Sequence, residues 1–165
     1  MGFLYPNLLS GTRSGTGWFR SDGGTGGYNP DTGIALYNTN STECFLWSPQ
    51  VVLHTGREYS LSFYAASTDD MRSTELYILD AAGDSNDYVW VAAYDPSIKP
   101  PAGGAWHTWT FGLSTRARDG AEFYVRFDNN GSTDGGNSLV WFRDVMLVEG
   151  TTARAWAPAA GEVWT

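Results

Sequence analysis

At 165 residues, with 42% hydrophobic and 15% aromatic side chains against 17% charged, the chain reads as one folded domain and not as a disordered segment. Its net charge of −8, with Lys99 the single lysine and nine arginines scattered among eighteen acids, excludes a phosphate-gripping nucleic-acid surface and disfavours anionic membranes. Cys44 stands alone, which excludes an intramolecular disulfide and a thiolate metal cluster, and no apolar run approaches the ~18 residues of a membrane span.

Short β-rich runs follow one another, separated by turn-forming glycine, proline, asparagine and aspartate. Strands are predicted near 6–9, 17–21, 34–39, 43–48, 50–54, 57–66, 74–80, 88–95, 106–113, 121–129 and 139–148. Alternation is clearest in Tyr59-Ser-Leu-Ser-Phe-Tyr-Ala65, where Tyr59, Leu61, Phe63 and Ala65 share a face. It recurs in Phe123-Tyr-Val-Arg-Phe-Asp128, where Phe123, Val125 and Phe127 oppose Tyr124, Arg126 and Asp128. The loop from Asp128 to Asp134 reads as a solvated hairpin tip. No window carries a helical stripe. Many short strands at even spacing predict an all-β fold, an antiparallel β-sandwich of the jelly-roll kind. It is a single domain over 1–165, with its core over about 6–158 and an exit tail at 159–165. One residue sits oddly. Asp144 lies inside the run Leu139 to Val148, and a carboxylate in a buried strand is costly unless a cation or hydrogen-bond donors meet it. Arg143, Arg20, Arg126 or backbone N–H groups would answer that need, as a metal would.

Four segments come in an order that resembles the jelly-roll carbohydrate-binding modules, particularly those of phage tail and prophage baseplate proteins and of glycoside hydrolases. They are Asn7-Leu-Leu-Ser-Gly-Thr12, Tyr59 to Ser67, Trp106-His-Thr-Trp-Thr-Phe111, and Phe142 to Gly150 followed by Ala155-Trp-Ala-Pro158. The resemblance covers about residues 6–158. It implies a module that adheres to host cell-surface glycan, carried in a virion tail or extracellular after lysis. Its partners would be a polysaccharide and other tail proteins or a parent multidomain chain. The run Met1 to Leu9 lacks the basic stretch of a secretory signal, in keeping with release by lysis. The resemblance also implies a structural calcium at one edge. Asp144 matches the acid of the last strand and Asp22 is the upstream partner, with Arg20 intruding where a neutral or acidic residue is usual.

Sugar sites pair a flat aromatic platform, which meets the C–H face of a pyranose, with polar side chains at its rim. Eight Trp, nine Tyr and eight Phe exceed what a small sandwich needs inside. With Leu61 and Phe63 inward, Tyr64 points out. With Val89 and Val91 inward, Trp90 and Tyr94 point out; the inverse parity would bury them. With Phe123, Val125 and Phe127 inward, Tyr124 and Arg126 point out. Tyr64, Trp90, Tyr94, Tyr124 and Arg126 are therefore the carbohydrate-binding candidates. Trp106, Trp109, Phe111, Trp141 and Trp156 are assigned to packing, and Trp18 and Trp47 to either role. Catalysis finds no motif: His54 and His107 lie far apart, and neither a metal-ligand spacing nor a G-x-S-x-G elbow is present. Two other readings follow from the same residues: an assembly module whose exposed aromatics meet protein, and a glycan-cleaving domain.

Overall fold

The computed structural model describes residues 6–21, 27–39, 43–83 and 91–162. Eleven strands run through them: β1 (Phe19–Arg20), β2 (Tyr28–Asn29), β3 (Gly33–Asn38), β4 (Cys44–Trp47), β5 (Val51–Val52), β6 (Glu58–Ser67), β7 (Thr74–Asp80), β8 (Val91–Ile98), β9 (Ala105–Gly112), β10 (Glu122–Asn129) and β11 (Ser138–Glu149). Every pairing between them is antiparallel. One sheet has the order β1-β4-β10-β7-β8, with β5 also pairing β10; the other has the order β2-β3-β11-β6-β9. The two sheets pack as a β-sandwich, the predicted class.

Period-two alternation fixes the core. From β10, Phe123, Val125 and Phe127 point inward; from β6, Tyr59, Leu61, Phe63 and Ala65 do. Phe63, Phe127 and Phe142 meet at the centre, with ring centroids 4.3–5.9 Å apart, and tie the middle strands of both sheets together. Trp18 joins this core, 6.1 Å from Phe127.

Two predictions need correction. Residues 6–9 do not form a strand; Asn7 makes a single parallel bridge to Ala159, and its side chain does the pairing instead. Its Nδ2 donates to the carbonyl of Val145 at 2.7 Å, and its Oδ1 accepts from the N–H groups of Leu147 at 2.9 Å and Leu9 at 3.0 Å. A buried amide thus replaces a stretch of ladder. The strand predicted over 50–54 shrinks to two residues, Val51–Val52.

Asp144 owes its place to a β-bulge. The register of β11 against β6 shifts between Arg143 and Met146, and Asp144 adopts the left-handed conformation, φ 53°. Before it the even residues Val140 and Phe142 face the core; after it the odd residues Val145 and Leu147 do. One extra residue resets the parity, and Asp is among the few non-glycine types that accept that backbone. The acid is not in the core at all.

Candidate carbohydrate-binding face

The outer surface of the six-stranded sheet carries a row of side chains in register across five strands: Phe19 on β1, Trp47 on β4, Arg126 on β10, Tyr77 on β7 and Tyr94 on β8. At ordinary strand spacing this row is about 19 Å long. Phe19 stacks on Trp47 at 5.0 Å, and Tyr77 lies 4.6 Å from Tyr94. On one side run Tyr124, Leu79 and Val91, again in register. On the other, Phe45 stands opposite Asp128, and Glu75 precedes Leu76 on β7. The ends of the row are open, Phe19 at 38% and Tyr94 at 44% exposure; its middle is sunk, Trp47 at 6%.

Polar groups are locked among these rings. Arg126, only 4% exposed, has its guanidinium 4.1 Å from the Phe45 ring and 4.2 Å from the Tyr77 ring. Cation–π attraction on both sides holds it flat. It pairs with Asp128, which is 0% exposed: Nη2 donates to Oδ2 at 3.0 Å, and Nε approaches Oδ1 at 2.8 Å as an ion pair without good hydrogen-bond alignment. Burial pushes the Asp128 carboxyl up to about 7; Arg126 opposes that shift, and the negative charges of Glu43 and Glu75 add to it. Glu75 receives two hydroxyls, Tyr77 on Oε2 at 2.7 Å and Tyr94 on Oε1 at 3.0 Å. Gln50 donates to the Tyr124 hydroxyl at 2.9 Å. The indole N–H of Trp47 is buried and meets no acceptor among the described residues. Such an orphan donor costs about 1–3 kcal/mol.

Of the predicted candidates, Tyr94, Tyr124 and Arg126 come together here. Trp90 lies outside the described residues. Tyr64 is separated from the rest: it projects from β6, in the opposite sheet, 5.8 Å from Trp106 and beneath the Arg143 guanidinium at 4.6 Å. Trp106, assigned to packing, is instead 60% exposed, because β9 turns its odd residues His107, Trp109 and Phe111 inward. Sequence reasoning missed Phe19, Phe45, Glu75 and Tyr77. Cys44-Phe-Leu-Trp47 and Leu76-Tyr-Ile-Leu79 are apolar on both faces, so alternation gave no polarity to read.

Asp144 has its cation in the protein. Arg13 Nε donates to Oδ1 at 2.8 Å, Arg13 Nη2 lies 2.6 Å from the same oxygen, and Arg143 Nε is 3.5 Å from Oδ2. Arg13 also lies 3.6 Å over the ring of Trp156, whose N–H donates to Thr12 at 2.9 Å. Among the described residues no group of three or more His, Cys, Asp or Glu gathers as a metal cage, and the surroundings of Asp144 fit guanidinium groups better than calcium. Asp22, the other expected ligand, lies outside the described residues.

No protein-family model matches the sequence, and no curated protein does. Solved structures match the fold. A CBM4 carbohydrate-binding module is 18% identical with a TM-score of 0.60, over 82% of this chain and 96% of that one. The N-terminal cellulose-binding domain of the Cellulomonas fimi β-1,4-glucanase C is 18% identical with a TM-score of 0.56, over 90% and 99%. An apo-form cyclase from a Fischerella species is 15% identical with a TM-score of 0.56, over 93% and 91%. The chain therefore has the jelly-roll sandwich of carbohydrate-binding modules, a fold that also occurs in cyclases.

Proposed function

We propose that this domain is a non-catalytic carbohydrate-binding module that holds a polysaccharide along the Phe19–Tyr94 row, serving a phage or prophage tail protein as its adhesion domain for host surface glycan. One observation carries the proposal: a row of four aromatic side chains and Arg126, in register across five strands over about 19 Å and exposed at both ends, on the outer face of a sheet. Its length suits a few pyranose rings in a line. Rings at the open ends supply stacking surfaces, and the Glu75 carboxylate and the tyrosine hydroxyls supply hydrogen-bonding groups beside them. The likeness to a cellulose-binding domain of the same fold supports the ligand class, and the four ordered segments of the sequence support the tail setting.

The acids on this face favour binding over catalysis. Asp128 is sealed beneath the rings with Arg126, and Glu75 is engaged by two hydroxyls. Neither offers a free carboxyl across a cleft, as glycoside hydrolysis requires. The test is a glycan array probed with the wild type and with a Phe19→Ala/Tyr94→Ala variant, both changes at exposed ends of the row. Wild-type binding to one or more neutral glycans is expected, with about tenfold weaker binding by the variant, in line with two lost stacking contacts. Binding unchanged in the variant, or no binding by the wild type across bacterial and plant glycans, would overturn the proposal.

A further inference from the structure

Tyr64 is a sugar-site candidate that the first face does not absorb, and it sits in a second ordered row. Arg143 on β11, Tyr64 on β6 and Trp106 on β9 are register partners across three neighbouring strands. All three project from the outer surface of the five-stranded sheet, on the far side of the sandwich from the Phe19–Tyr94 row. Tyr64 cannot swing: its hydroxyl donates to the Gly103 carbonyl at 2.9 Å, the Arg143 guanidinium lies over its ring, and Trp106 packs edge-on against it. Gly104, at φ 78°, presses so close that a Cβ there would strike the tyrosine ring. Arg143 is held in turn, its Nη1 donating to the carbonyl of Asp31 at 3.1 Å, while its Nε makes no hydrogen bond among the described residues.

Against that fixed background Trp106 stands 60% exposed, the most open of the large apolar side chains among the described residues. A lone exposed tryptophan carries no message. A tryptophan braced by a locked tyrosine, with a guanidinium at the other end and the exposed hydroxyls of Thr108 and Thr110 along the same strand, is a preorganised platform. Its size selects the occupant. Three strands span about 10 Å, whereas a stable protein interface covers about 800 Å² per partner with 20–30 residues. The braced part of this face, two rings and one guanidinium, matches one or two sugar rings, with Trp141 and Tyr37 set further along the same face on β11 and β3.

We propose that Trp106, Tyr64 and Arg143 form a second carbohydrate site, separate from the first, which makes this single domain bivalent. The ligand class rests on the reading of the first face; the site itself does not. Two sites on opposite sheets face away from each other, so they engage two chains or two segments of one looped chain, and raise retention on a dense glycan surface by avidity.

Affinity electrophoresis tests this with gels containing hydroxyethylcellulose, β-1,4-galactan or solubilised bacterial peptidoglycan. Four proteins are compared: wild type, Trp106→Ala, Phe19→Ala/Tyr94→Ala, and the triple variant. Unchanged melting temperatures confirm that the surface changes leave the fold intact. Phe19→Ala/Tyr94→Ala should lose about tenfold and Trp106→Ala about fivefold in apparent association constant, and only the triple variant should run free. A Trp106→Ala protein retarded as strongly as wild type in every gel overturns the second site, and the first stands if the double variant then runs free. Loss confined to Trp106→Ala removes the first face and leaves the second as the sole site. A wild type that no polysaccharide retards sinks both.

Discussion

Replacing Asp128 by Asn should flatten the pH dependence of stability between pH 5 and pH 8. Asp128 is fully buried with its carboxyl pushed up to about 7, against about 3.9 in an unfolded chain. Between those values the native protein holds a proton that the unfolded chain has released. Stability must then fall as pH rises through that window and level off above about 7. From pH 5 to 7 the loss amounts to about 2–3 kcal/mol, at 1.36 kcal/mol per unit. For a domain of this size that is about 5–10 °C in melting temperature. In Asp128→Asn the group cannot titrate, so this slope disappears. At pH 5 the wild-type carboxyl is itself protonated, so the variant exchanges one neutral group for another there, and only above about pH 7 does the wild type hold a carboxylate against Arg126 that the variant lacks. The difference between the two profiles thus isolates one proton.

Urea denaturation at half-unit steps from pH 5 to 8 measures both profiles. The stability of the variant relative to wild type should rise by about 2–3 kcal/mol between pH 5 and pH 7. Parallel profiles would refute the reasoning. They would mean that Arg126, despite its desolvated setting, keeps Asp128 ionised throughout, and that burial does not win over pairing on this face.

Three further outcomes follow from the opposite sheet and its edge. His107 stacks on Phe63 at 5.5 Å, its Nε2 is buried without a hydrogen-bond partner among the described residues, and burial pushes its pKa below the usual imidazole value. A lowered histidine contributes stability that is present above about pH 6.5 and lost as pH falls through its native value, the reverse of Asp128. His107→Phe should therefore raise the melting temperature most at pH 5, and an unchanged acid limb in thermal scans would contradict this. At Asp144, Arg13→Ala should lower stability by about 1 kcal/mol, a figure held down by the 40% exposure of the arginine side chain. Chelator should leave the wild-type melting curve where it is; a fall that calcium reverses would put an ion beside Asp144 after all.

The parts of this molecule that were legible in the sequence share one physical property. Where one face of a strand is apolar and the other polar, a period-two reading assigns both. Phe123-Tyr-Val-Arg-Phe-Asp128 yielded Tyr124 and Arg126 for that reason, and Tyr59 to Ala65 yielded the inward set of β6. The strand order was beyond such reasoning, so Tyr64 was grouped with residues that stand on the opposite sheet. Asp144 was misread for a different cause. A bulge inserts one residue and exchanges the faces behind it, and no composition signal marks where that happens.

Strands apolar on both faces defeated the method, and they are where the first candidate face is built. Phe45 and Trp47 alternate with Cys44 and Leu46; Tyr77 and Leu79 alternate with Leu76 and Ile78. In a two-layer sandwich only one face of each sheet reaches the shared core, so the second apolar face of β4 and β7 lies outside it. Part of that surface closes on itself around Arg126 and Asp128, as the burial of Trp47 and Tyr77 shows. The remainder, Phe19 and Tyr94 at the two ends, stays in water. Leaving rings exposed forgoes about 25 cal/mol per Å² of apolar surface, a loss that a bound sugar face reduces. Two-faced apolarity in a single-layer strand is thus itself the signal, a negative one for parity and a positive one for a ligand platform.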